Sequence, residues 1–219
     1  MDNEKKEMQK EKKRNIKYIF SHIIVFASGM LVMLIVAIFV SFQSPFIVND
    51  TLSFIVDIIS SNDSAIEKLE KATTEEDRFY ALGDAGKEAF AQENYVNAES
   101  YAVELEKLTP KYKKNWNYGN AIQDYNIVFG LIALKDGNLK KANEHLILAG
   151  ESPGSPQMDT FGPNMLLAQA LLEKGEKDTV VKYLESCKTF WEMDRGRLDN
   201  WILIVKGGGI PSFGANLEY

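Results

Sequence analysis

Residues 18–42 form a run of 25 positions without one Asp, Glu, Lys or Arg. As a helix such a run is about 37 Å long. That crosses a hydrocarbon core of roughly 30 Å with some tilt. The helices of a globular core rarely stay apolar on every face for this length. The apolar part of a cleaved signal is shorter, and Val40-Ser41-Phe42-Gln43 is a poor cleavage site. The run therefore predicts an uncleaved, single-pass membrane anchor. It divides the chain into a tail (1–17), a transmembrane helix (18–42), a juxtamembrane segment (43–62), a domain (63–206) and a C-terminal tail (207–219).

Charge orients this arrangement. The tail carries seven Lys/Arg and four Asp/Glu; of the chain's 25 Lys/Arg and 31 Asp/Glu, 18 and 27 then remain for the rest. The basic flank precedes the span, and no Lys or Arg follows it before Lys68. The positive-inside bias keeps the tail cytoplasmic and puts the domain across the membrane, in a bacterium the periplasm or outer surface. An acidic domain lacks the basic footprint that nucleic acid requires, so no nucleic-acid partner is expected. Gly29, beside Ala27 and Ser28, offers a close-contact point between spans and a route to an oligomer.

After the span, Pro45 breaks the helix. Residues 45–61 are apolar but interrupted by Asp50 and Asp57. They form either an interfacial helix or a segment packed on the domain. Asp63 or Ser64 can cap a helix reaching about Thr73.

The domain itself reads as helical hairpins. The first spans 79–110, with a tight turn at Glu93-Asn94. Gly86 sits in its first helix, and Tyr95, Ala98 and Leu105 lie in its second. The second spans 123–149, with Gly130 before and Leu139 and Ala142 after the turn Asp136-Gly137-Asn138. The third spans 161–190. Pro163 suits a helix first turn, Lys174-Gly175-Glu176 makes the turn, and Val180 stands where the other hairpins have Ala98 and Ala142. Segments 111–122 and 151–160 separate the hairpins. A last helix over 194–206 holds five consecutive apolar residues, 201–205, which suit a buried terminal element. The Gly-rich end, 207–219, reads as irregular.

Gly, an aromatic or Leu, and Ala at these spacings resemble the tetratricopeptide repeat over roughly half the chain. The step from Ala98 to Ala142 is 44 residues, against the family's 34. The resemblance implies an all-α, TPR-like solenoid in which small residues let helices approach and neighbours bury each other's apolar faces. It also implies a scaffold that binds a protein or peptide in a groove lined by first helices. By register the groove residues are Tyr80, Gly83, Lys87 and Phe90, then Asp124, Ile127, Leu131 and Leu134, then Met165, Gln169, Leu172 and Glu173. Family members that hold a carboxylate use a Lys/Asn/Arg clamp, of which only Lys87 is present.

Other chemistry has little to stand on. Lys111-Tyr112-Lys113-Lys114-Asn115-Trp116-Asn117-Tyr118 mixes cations and aromatics, as a stacking site would. It reads better as a loop whose aromatics pack on the next helix. Cys187 has no histidine near it in sequence and reads as a small core residue. His22 and His145 lie too far apart to suggest a metal site. No catalytic residues and no cofactor are expected. The expected function is a membrane-anchored scaffold binding a protein or peptide outside the cytoplasm. The alternatives are a membrane-tethered enzyme and a structural subunit of an envelope complex.

Overall fold

The computed structural model describes residues 63–218. The tail, the expected span and the juxtamembrane segment lie outside the described residues. Among the described residues no helix is long and apolar enough to cross a membrane.

Reciprocal caps begin the domain. Ser64 Oγ accepts the Glu67 amide at 3.1 Å, and the Glu67 carboxylate accepts the Ser64 amide at 3.0 Å. Of the two candidate caps it is Ser64 that starts α1, Ala65–Lys71. The helix stops two residues before the expected end. A second capping box, Thr74 with Asp77, needs the extended backbone there to start α2, Glu75–Ala91. Then follow α3 (Tyr95–Leu108), α4 (Tyr118–Lys135), α5 (Leu139–Gly150), α6 (Pro156–Phe161), α7 (Leu166–Glu173), α8 (Lys177–Cys187) and α9 (Arg197–Lys206). Short 3-10 turns cover Thr109–Tyr112 and Gly214–Leu217. Among the described residues there is no strand; the domain is all-α.

The pairs α2/α3, α4/α5 and α7/α8 are joined by turns of one build. A left-handed residue comes first, Glu93 at φ 60°, Gly137 at φ 76° and Gly175 at φ 88°. The helix N-cap follows. Asn94 and Asn138 each send their amide back to a carbonyl of the preceding helix, Ala89 and Ala133, at 2.8 Å. Their side chains accept the amides of Asn97 and Lys141. Glycine occupies the left-handed region freely, whereas at Glu93 a side chain is tolerated at a small conformational cost.

Ala98, Ala142 and Val180 follow these turns at the same spacing, and all three are fully buried. A methyl placed on Gly86 would stand 3.8 Å from the Ala98 carbonyl and 3.2 Å from Val128, so Gly86 faces its own hairpin partner and α4 together. At Gly130 a different helix comes nearest. The nearest side chain to this glycine is Leu167 of α7, which would collide with any added carbon. The glycine serves the contact between consecutive first helices.

The hairpins stack in sequence. α4 packs on both α2 and α3, α7 on α4 and α5, and α8 on α5. One core cluster joins Phe79, Leu82, Ala85, Leu105 and Leu108; a larger one joins Ile127, Leu146, Leu167, Leu171, Leu184, Trp191 and Trp201. Each large side chain buried in this way contributes about 1.5–3 kcal/mol before entropy is counted.

Several boundaries differ from the sequence reading. α4 begins at Tyr118, not at Gln123, so the insertion is shorter than 111–122. Pro163 is not in a helix. α7 starts after Met165, whose amide bonds the Asn216 carbonyl at 2.8 Å, while the Asn216 side-chain amide holds the carbonyls of Phe161 and Pro163. The C-terminal tail therefore docks on the third hairpin, with Phe213 and Asn216 buried. Segment 151–160 contains most of the short helix α6. In α9, Leu203 is 71% exposed, so the apolar run is not buried throughout. Five apolar residues in a row wrap right round a helix, and one face of this helix has no neighbour.

Candidate functional site

The polar face of α2 carries Tyr80, Asp84 and Lys87, one helical turn apart from each to the next. Across from it α4 carries Asn120, Gln123 and Asp124. The 3-10 turn and loop before α4 bring Trp116 and Asn117, and the segment around α6 brings Gln157, Met158, Gly162 and Asn164. These residues line a cleft of about 210 Å³ that opens to solvent.

At its centre one ammonium serves two carboxylates. Lys87 Nζ donates to Asp124 Oδ1 at 2.7 Å and lies 2.9 Å from Asp84 Oδ1. The Lys87 and Asp124 side chains are largely buried, whereas Asp84 is 64% exposed. Burial works against the ammonium, but Asp124 and then Asp84 outweigh it and raise Lys87 above the ordinary lysine value. Gly83 makes the pair possible. A carbon on it would stand 2.8 Å from Asp124 Cγ, where the carboxylate has to pass.

The floor is a buried polar network between the second and third hairpins. Gln123 Nε2 donates to Tyr183 Oη at 3.2 Å, Tyr183 Oη donates to the Asn164 carbonyl at 2.6 Å, and the Asn164 amide donates to Gln123 Oε1 at 2.8 Å. One side is an amide chain. Ser155 Oγ donates to Asn120 Oδ1 at 2.5 Å, and Asn120 Nδ2 donates to Gln157 Oε1 and Asn117 Oδ1, each at 2.8 Å. The Nδ2 of Asn117 and the Nε2 of Gln157 have no hydrogen-bond partner among the described residues.

The other side is aromatic. Trp116 stacks on Tyr80 with ring centroids 5.7 Å apart and planes 17° from parallel. Asn115, next to Trp116, donates to Tyr80 Oη at 2.6 Å and accepts the Asn117 amide at 2.9 Å. The indole is thus held in place yet 52% exposed. The loop's aromatics pack back on α2, with Tyr112 on Phe79 at 4.3 Å, as well as on the next helix, where Tyr112 joins the cluster that includes Ala121 of α4.

Of the groove residues expected by register, Tyr80, Lys87 and Asp124 come together here. Phe90 lies elsewhere, edge-on to Tyr95 at 5.3 Å, and Gln169 is partly exposed on α7. Ile127 and Met165 are fully buried and Leu131 is 8% exposed. These three are core and offer no surface to a partner, because consecutive first helices pack directly against one another there. Sequence reasoning missed Asn120, Gln123 and Gln157. The signal for the first two was a polar stripe, Asn120-Gln123-Asp124, which straddles the boundary between segment 111–122 and the second hairpin.

The remaining nucleophile and imidazole are engaged in the fold. Cys187 is fully buried, and burial pushes its thiol far up. His145 Nδ1 lies 2.9 Å from Asn126 Oδ1, and burial lowers its basicity. Among the described residues no three His, Cys, Asp or Glu side chains are grouped to hold a metal ion. Compared with protein families, curated proteins and solved structures, the chain matches none.

Proposed function

We propose that this chain is a membrane-anchored, TPR-like scaffold that binds a protein segment outside the cytoplasm, with the Trp116 cleft as the binding site. The observation that carries the reading is the cleft itself. It lies on first helices of consecutive hairpins, where a repeat scaffold presents its partner surface, and it holds an ordered, half-exposed tryptophan with unpartnered amide donors. Exposed aromatics fixed in place are typical anchors of protein recognition, and side-chain amides suit the donors and acceptors of a peptide backbone. The repeated turn, the buried small residues after it and the stacking of each hairpin on the next support the TPR-like description. The uncharged run with its basic flank supports the anchor and its orientation.

A partner with a terminal carboxylate does not suit this site. Lys87 is already shared between Asp84 and Asp124, and no second cation stands beside it in the cleft.

The test has two arms. A reporter enzyme that is active only after export, fused after Tyr219, is expected to be active; activity confined to a cytoplasmic reporter overturns the orientation. The full chain, purified in detergent from its host, is expected to bring down a protein that the Trp116→Leu chain loses. Equal recovery with both chains removes the cleft from the reading.

A further inference from the structure

We infer that the cleft takes a basic side chain of the bound segment, arginine before lysine, stacked on Trp116 and paired with Asp84; this rests on the reading of the cleft as a protein-binding site. Four observations select that chemistry. First, the cleft's ionised groups are Lys87, Asp84 and Asp124, which leaves one negative charge in excess. Second, the excess is available, because Asp124 is covered while Asp84 is 64% exposed. Third, one face of the Trp116 ring is taken by Tyr80 and the indole remains 52% exposed, which suits a planar cation. A guanidinium stacks flat and forks to a carboxylate, which an ammonium does not. Fourth, at about 210 Å³ the cleft is smaller than the roughly 300–1,000 Å³ of sites that swallow a whole small molecule, so it suits one inserted side chain. Asn117 Nδ2 and Gln157 Nε2 then stand ready for carbonyl oxygens of the segment that carries the cation. The domain uses the same contact internally, with Lys135 4.4 Å from the Tyr95 ring and Arg197 4.6 Å from the Trp191 ring.

The test is calorimetric titration of the full chain in detergent, at low salt, with a capped triarginine peptide and its tricitrulline counterpart. Citrulline keeps the shape and removes the charge. Triarginine is expected to bind about tenfold more tightly than tricitrulline. Asp84→Asn and Trp116→Leu each weaken triarginine by about tenfold, with melting temperatures close to that of the parent, because Trp116 is half-exposed and Lys87 keeps Asp124 when Asp84 loses its charge. Glu99→Gln, the same charge change on an exposed face of α3, leaves binding unchanged. Equal binding of the two peptides overturns the inference, as does equal weakening by Glu99→Gln, which marks a general attraction to an acidic surface. If a protein partner depends on Trp116 while triarginine fails, the site stands and its chemistry is wrong. Binding of chitotriose, an uncharged oligosaccharide, with no binding of either peptide makes the cleft a glycan site and overturns both readings.

Discussion

Lys87 shows how one residue can hold both the fold and the site. Its ammonium bridges α2 and α4 through Asp124 and leaves Asp84 facing solvent. A largely buried carboxylate deprived of its cation is costly, so Lys87→Met, which keeps the length of the side chain, is expected to lose about 3 kcal/mol. The pH dependence follows from the direction of the shift. The folded state holds the Lys87 proton more tightly than the unfolded chain does. Its contribution is therefore complete below the ordinary lysine value of 10.5 and is lost as pH rises above it. Melts of the two chains should differ most at neutral pH and converge above about pH 10.5. A gap that widens with alkalinity would mean that Lys87 is not held as an ion.

At the scale of elements, the helices were legible because their signals are local. Capping residues, a left-handed turn position and small residues at fixed spacing locate three hairpins from sequence alone. What those signals could not give was the contact between hairpins. Gly130 reads as a hairpin residue but serves Leu167, and Ile127 and Met165 read as groove residues but are core. Nor is the start of α7 written near Pro163, since a tail residue 53 positions later, Asn216, supplies the bonds that a longer helix would have made. The cleft was half legible for the same reason. Tyr80, Lys87 and Asp124 follow from register, whereas Gln157 arrives from a segment with no periodicity at all. The helix register itself is testable at one turn of α3. Ala98→Leu adds three carbons to a fully buried position and is expected to cost about 1–3 kcal/mol. Glu99→Leu, exposed, is expected to stay within about 0.5 kcal/mol of the parent. Thermal melts that reverse this order would show α3 rotated about its axis.

At the scale of the whole molecule, the proposed binding place for a protein segment is the cleft of Tyr80, Asp84, Trp116 and Gln157. The most direct measurement puts a photoreactive amino acid at Gln157, on the rim of the cleft, in the full chain inside its own cells. A control chain carries it at Glu99, on the outer face of α3. Illumination is expected to give a discrete adduct with another protein from position 157, absent from position 99 and lost when Trp116→Leu is added. No adduct at 157, or the same adduct from both positions, would contradict the claim.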